Sequence, residues 1–485
     1  MAKKNERKRV AALECNPNLY SSEITDDVVD VLQLKDVALD AQVSLVGRLM
    51  LADMSGTISK LGIFSDLGVQ KVIDLENTES DGSSIKTYLV RNEDNLSYLN
   101  TSIHVGDVVL LKGVKICHPD SGEIIFLAES IRLLSKALAD VYDKNIDFRK
   151  RSNMYEHRHV QMLRDPTMVQ AFKLYARVYK EIRKFLYSHD YDEVSMTLLQ
   201  ETFEAGMADS FKTYVVDRQK EMHLRLTAEL MLRKLMISGF TKVFEIGKSY
   251  RNQGAVQTMH PEFTILELYR AYAKEGEMET LLQNMLQTVL ISVYGEASVP
   301  TKVGTLDCSG QWQSVDFKEE ISRLTGMSYD ESQPLEVNAL ILDRLGRSRP
   351  QVLSAYTVGT ELYSCLISQY REPTFLKGLP ASTSPLNKQN VDGSTIDETL
   401  LIINGMLVAD VVNAERNPVT LRKRMEKQLE YRGNSDENPE VNEGVLEAMR
   451  YGLPPCRGIG IGMERLLMFI FNRDGLREVE LFPVF

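Results

Sequence analysis

Two stretches of the chain carry residue types that could work together on a phosphorylated ligand. The first is Phe244-Glu245-Ile246-Gly247-Lys248-Ser249-Tyr250-Arg251-Asn252-Gln253-Gly254, followed after a short loop by His260-Pro261-Glu262-Phe263-Thr264-Ile265-Leu266-Glu267. A strand-like run leads into a polar loop and a second run returns, which is the pattern of a hairpin. Arg251 could hold a phosphate through two parallel N–H bonds. Phe263 could stack on a base. On spacing alone an ordinary surface hairpin fits as well. The second stretch is Gly458-Ile459-Gly460-Ile461-Gly462-Met463-Glu464-Arg465. Alternating glycines let a strand pass close to a ligand, and Arg465 falls in the first turn of the helix that follows, where a polyphosphate is favoured. The spacing is neither a dinucleotide GxGxxG nor a Walker A loop. Tight strand–helix packing would also explain it.

These residues need a scaffold, and the pattern around them implies an α+β chain. From Ala41 to about Leu134 short strands alternate with turns: Val43 to Met50, Leu61 to Leu67, Gln70 to Ile73, Asp107 to Val114 and Glu123 to Leu127, with Ser121-Gly122 as a hairpin turn. Five strands with glycines at the bends predict a small five-stranded barrel of the OB-fold kind over 41–134. Residues 1–40 read as a basic arm and helical lead-in, and 135–165 as a charged linker with helical content. Met168, Phe172, Tyr175, Val178, Ile182 and Phe185 fall on one stripe and predict a helix from Thr167 to Ser188. Beyond it, strands are expected at 212–216, 224–226, 242–246 and 263–272, then a helix at 275–294. Residues 300–380 read as a helical insertion. Strands return at 398–403 and 406–412 around the hairpin signal Asn404-Gly405, and a helix is expected from Pro418 to Arg432.

The bulk properties narrow the field. A 485-residue chain that is 43% hydrophobic is long enough for two or more cores. No apolar run approaches the roughly 20 residues of a membrane span, and the polar, basic start has no apolar core of a secretory signal. That pattern, with five scattered cysteines in no CxxC or Cys/His cluster, reads as cytoplasmic and without a zinc site. A net charge of −11 argues against a surface coated for nucleic-acid binding, though Lys3, Lys4, Arg7, Lys8 and Arg9 form one local basic patch.

In this order and at this separation, the two stretches resemble motifs 2 and 3 of the class II aminoacyl-tRNA synthetases, specifically the lysyl type. The resemblance runs from about Val43 to Phe485. It includes Val46-Gly47-Arg48-Leu49-Met50, the stretch from Gly106-Asp107 to Gly122-Glu123, Leu224-Arg225-Leu226-Thr227-Ala228-Glu229-Leu230, Ser384-Pro385-Leu386-Asn387-Lys388, Tyr451-Gly452-Leu453-Pro454-Pro455 and Glu478-Val479-Glu480-Leu481-Phe482-Pro483. It implies an antiparallel catalytic sheet flanked by helices over 166–485, a homodimer, and activation of an amino acid by ATP and magnesium before transfer to tRNA. No covalent enzyme nucleophile is implied. By motif position, Arg251 would hold the α-phosphate and the reacting carboxylate, and Phe263 would stack on adenine with Arg465 on its other face or on the γ-phosphate. Gln253, His260, Gly460 and Gly462 would complete the ATP site. Arg225, Glu229, Gly206 and Asp410 would line the amino-acid pocket, Glu267 would support the nucleotide strand, and Asp410 with Glu415 would stand nearest to a metal. Phe64 would be the anticodon-stacking residue of the barrel, or else a core aromatic.

The departures from that family gather in the same place. Gln253 stands for a glutamate, and Met259 occupies the position of a phosphate-binding histidine, with His260 one residue later. Ser195-Met196-Thr197 replaces Glu-Thr-Pro, and Glu204-Ala205 replaces a glycine pair, with Gly206 following. Two glutamates seven apart, which bind magnesium and the substrate's side-chain ammonium, read Leu407 and Ala414. Asp410 stands for an asparagine, Arg457 for a small residue and Glu464 for an aspartate. A buried ammonium without a carboxylate costs several kcal/mol, so Asp410, Glu415, Glu204 or Glu229 would have to serve. Three readings stay open: a divergent lysine–tRNA ligase, a paralogue activating another amino acid or charging another acceptor, and a non-catalytic tRNA-binding relative.

Overall fold

The computed structural model describes residues 28–29, 36–53, 58–64, 86–90, 103–117, 122, 124–143, 145–201, 208–252, 254–432 and 441–484. The chain divides into two compact units, Met1–Lys173 and Leu174–Phe485.

The first unit is built on β1 (Val28–Val29), β2 (Gln42–Asp53), β3 (Ile58–Phe64), β4 (Lys86–Val90), β5 (Val108–Cys117) and β6 (Ile124–Ser135). Strands β2, β3, β4, β6 and β5 pair in that order, and β5 pairs back onto β2, so the five close into a ring with β1 added parallel to β2. Leu45, Leu49, Val109, Leu111, Phe126 and Ala128 are buried in it. The Gly106-Asp107 corner has a physical purpose. Asp107 is buried, pairs with Lys136 at 2.8 Å and accepts the backbone N–H groups of His104 and Ala137 at 2.8 and 2.7 Å. Arg48 closes the turn on the Gly106 carbonyl at 2.6 Å. The charged segment that follows contains two short helices, Arg151–Glu156 and Arg158–Arg164.

The second unit centres on an eight-stranded sheet. Its elements in chain order are β7 (Asp192–Glu193), β8 (Leu199–Gln200), β9 (Lys212–Val215), β10 (Lys220–Leu224), β11 (Lys242–Tyr250), β12 (Glu262–Ala271), β13 (Ser298–Thr301), β14 (Gly304–Asp307), β15 (Gln313–Asp316), β16 (Thr374–Pro380), β17 (Thr395–Ile403), β18 (Met406–Asn413) and β19 (Cys456–Gly462). Across the large sheet the order is β15-β16-β17-β18-β19-β12-β11-β7, antiparallel except for the two edge pairs; β8–β10 and β13–β14 form two small sheets beside it. The long helix Pro166–Ser188 buries Tyr175, Val178, Ile182 and Phe185, the stripe its 3.6-residue periodicity predicts. Asn404 and Gly405 both take positive φ, +52° and +72°, in the β17–β18 turn.

The 300–380 region is more than a helical insertion. It does form the helices Phe317–Thr325, Leu335–Arg344 and Ala355–Ile367, but it also adds β15 and β16 to the main sheet. Its core, which includes Phe317, Ile321, Leu342, Leu362 and Leu366, continues through Leu376 of β16 into Leu400 of β17. Burying an apolar helical face against a sheet requires strands beneath it, and the short Phe375-Leu376 run supplies one.

Candidate active site

The site is set by strand alternation. On β12, Phe263, Ile265, Glu267 and Tyr269 share one face, while Leu266 and Leu268 lie fully buried on the other. Register then aligns four strands: Glu245 of β11 opposite Glu267 of β12, Glu267 opposite Gly460 of β19, and Gly460 opposite Asp410 of β18. Three carboxylates therefore lie in one row, interrupted only by a glycine. A Cβ on Gly460 would stand 2.7 Å from Asp410 Oδ1, and one on Gly458 would meet the Tyr269 ring at 2.6–2.9 Å. These glycines make room for protein side chains of the same face. Gly462 is less crowded, its nearest neighbour being the Arg465 side chain at 3.9 Å.

Two cavities share this face. The larger, about 640 Å³, is lined among others by Thr227, Glu229, Arg251, Glu267, Tyr269, Tyr356, Asp410 and Gly460. The smaller, about 190 Å³, is lined by Arg251, Met259, His260, Phe263, Leu407, Val408, Ala409, Asp410, Gly460, Gly462, Glu464 and Arg465, with a few others. Arg251, Ile265, Asp410 and Gly460 border both. The two arginines from distant stretches thus reach one hollow, with the Arg251 guanidinium 5.1 Å from the centre of the Phe263 ring. Burial lowers the pKa of both, and the charge of Arg251 further disfavours charge on Arg465. Arg465 Nε donates to the Thr258 carbonyl at 3.3 Å. Among the described residues neither arginine forms an ion pair with a carboxylate, so a bound anion would relieve both.

The larger cavity has the opposite character. Glu229 opens the helix Glu229–Ile237, and its carboxylate accepts from Arg233 at 2.5 Å and from the Tyr269 hydroxyl at 2.7 Å. Glu267 accepts from the Thr227 hydroxyl, while its second oxygen is buried without a hydrogen-bond partner. Burial, reinforced by the charges of Glu229 and Asp410, pushes Glu267 up to about 8. Asp410 is pushed up to about 8 by burial and by Glu398 and Glu229. A cation entering here would return both groups to their ionised form.

Several expected residues stand elsewhere. Arg225 does not line either cavity: it is fully buried, with Nη1 on Glu245 at 2.7 Å and Nε on the Lys248 carbonyl at 2.9 Å. It neutralises the closed end of the carboxylate row, and Gly247 leaves space for it. Glu415 also stays outside. Its Oε1 accepts the N–H groups of Arg416 and Asn417, both at 2.8 Å, at the entry to the helix Pro418–Arg432. Ala414 is fully buried in apolar core. His260 is buried in the wall of the smaller cavity with Nδ1 2.9 Å from Glu480, while Met259 is 38% exposed. Arg457 pairs with Asp397 at 2.7 Å. Gln253 and Gly206 lie outside the described residues, as does the Phe64 side chain.

Sequence reasoning missed Tyr269, Tyr356 and Glu398. Glu398 of β17 is held by Asn387 at 2.8 Å and pushed up to about 7, chiefly by burial and then by the charge of Glu229. The available signal was an acidic residue two positions before the apolar run Leu400–Ile403. Tyr269 could have been read from the β12 alternation that includes Phe263 and Glu267.

The family model for class II tRNA synthetases (D, K and N) matches residues 150–485, which holds both cavities. The chain belongs to this family. The lysine–tRNA ligase of Trichormus variabilis is 29% identical over 473 residues, covering 96% of this chain and 82% of that protein. The lysine–tRNA ligase of Nostoc punctiforme is 29% identical over 486 residues, covering 97% and 85%. That of Thermosipho africanus is 28% identical over 501 residues, covering 99% and 94%. On the β18 edge of the smaller cavity, Leu407, Val408 and Ala409 present an apolar wall. Among the described residues no helix is long and apolar enough to cross a membrane.

Proposed function

We propose that this protein is a lysine–tRNA ligase, joining lysine to ATP as lysyl-adenylate and passing the lysyl group to the 3′ end of tRNA. One observation carries the reading: Arg251 stands where a cavity of cations and an aromatic ring meets a cavity of carboxylates. The nucleotide would occupy the smaller cavity, its base on Phe263 and its phosphates between Arg251 and Arg465. The amino acid would occupy the larger, with its ammonium groups on Glu229, Glu267 and Asp410. Arg251 would then hold the reacting carboxylate against the α-phosphate, so that catalysis is positioning and charge stabilisation. Pyrophosphate leaves, and a tRNA hydroxyl later takes the acyl group, releasing AMP.

Magnesium does not fit the residues assigned to it. Glu415 is spent on backbone N–H groups, and among the described residues no group of three or more His, Cys, Asp or Glu side chains is arranged to hold a metal ion. No step here runs through the metal. The first unit's strand ring is proposed to be an OB-fold that reads the anticodon, and a homodimer is the expected assembly.

ATP–pyrophosphate exchange measured with each of the twenty amino acids tests the reading. Exchange with lysine alone supports it. Exchange with a different amino acid favours the paralogue. No exchange with any of them removes the ligase assignment.

A further inference from the structure

The proposed nucleotide cavity is unusual in what surrounds its phosphate end. Among the described residues only two carboxylates border it, Asp410 and Glu464. Both Glu464 oxygens accept the Thr264 N–H at 2.9 Å, and Lys248 lies 3.9 Å away, so this group ties the helix Met463–Ile470 to β12. Asp410 is folded over Gly460 at the seam between the cavities, facing Glu267. The rest of the β18 edge is Leu407, Val408 and Ala409. Magnesium asks for near-octahedral oxygen ligands at 2.0–2.1 Å and gives up its waters reluctantly. One carboxylate in a corner and an apolar wall do not supply that. Two guanidinium groups converge on the same hollow and supply positive charge directly.

Resting on the ATP-activating reading above, we infer that this chain binds the triphosphate through Arg251 and Arg465 with no protein carboxylate in the inner sphere of magnesium, which enters only as part of the nucleotide substrate. The protein then gains little binding energy from the metal. Calorimetric titration of the full-length protein with a non-hydrolysable ATP analogue, in magnesium and in EDTA, tests this. The two affinities should differ by less than about tenfold, a step worth 1.4 kcal/mol, and Asp410→Asn should leave that ratio unchanged. A ratio above tenfold overturns the inference, and its collapse in Asp410→Asn would name Asp410 as the ligand. Exchange activity with a strongly metal-dependent affinity would sink this inference alone. Absence of analogue binding in both media would sink the ligase reading along with it.

Discussion

Replacing Gly458 by alanine tests whether the glycines of β19 are there for protein side chains. The added Cβ would lie 2.6 Å from Tyr269 Cζ and 2.8 and 2.9 Å from the two Cε atoms. That is about 0.5–0.8 Å short of ordinary contact with a whole ring edge, where real Cβ atoms stay beyond 3.0 Å. The ring has little room to yield: Tyr269 is 2% exposed, and its hydroxyl is held by Glu229 at 2.7 Å. Overpacking of a core costs about 1–3 kcal/mol, and the rigid partner places Gly458→Ala near the upper end. Gly460→Ala should cost less, because Asp410 Oδ1 is the end of a side chain that can rotate away. Urea unfolding of the two variants, with Tyr269→Ala as a third background, measures the difference. In the Tyr269→Ala background the penalty at position 458 should largely vanish, giving a coupling energy above about 1 kcal/mol. Equal stability of Gly458→Ala and the parent protein, or strict additivity with Tyr269→Ala, would refute the reasoning.

Three further outcomes are expected. Arg251→Ala should abolish lysine-dependent exchange while the unfolding midpoint stays close to the parent's; normal exchange would remove Arg251 from the reaction. Glu245→Ala strands the Arg225 guanidinium, both side chains being almost wholly buried, and should cost about 3–5 kcal/mol in unfolding free energy without changing the KM for lysine; a raised KM with unchanged stability would return Arg225 to the pocket. Glu267 and Asp410, raised to about 8, and Glu398, raised to about 7, bind protons in the folded state that the unfolded chain releases near pH 4. Stability should therefore be greatest at low pH within this window and fall as pH rises towards 8, by at most about 1.4 kcal/mol per group per pH unit; a urea series from pH 5.5 to 8.5 that is flat or rising contradicts it.

What the sequence disclosed depended on how locally each feature is encoded. The motif 2 hairpin was legible because Phe263 and Glu267 sit in one alternating strand, and Arg251 directly follows its partner strand. The β17–β18 turn was legible from Asn404-Gly405, whose positive φ values few other pairs tolerate. Arg225 was misplaced because its partner, Glu245, lies on a different strand, and only register reveals that Glu245 stands opposite Glu267. Glu415 looked available because a one-residue slip brings it to the expected position. Its carboxylate instead accepts the backbone N–H groups of Arg416 and Asn417, and the Asn417 side chain caps the helix that follows. Strand β15 escaped notice because a four-residue edge strand is too short to show a period of two, and β16 because its buried positions do not alternate.

The row of carboxylates also bears on which substrate the site accepts. Glu229 is already compensated by Arg233, and Glu245 by Arg225. Glu267 and Asp410 have no such partner of their own among the described residues, apart from the shared charge of Arg251 and, for Glu267, that of Arg225. A neutral amino acid would bring one ammonium to this surface, whereas lysine brings two. Because each carboxylate must lose a proton to meet a cation, binding of lysine near neutral pH should release more protons than binding of its neutral analogue norleucine. Calorimetry in two buffers of different ionisation enthalpy counts them. Equal proton release for the two ligands would mean that the second ammonium does not reach Glu267 or Asp410, and the lysine assignment would lose its electrostatic basis.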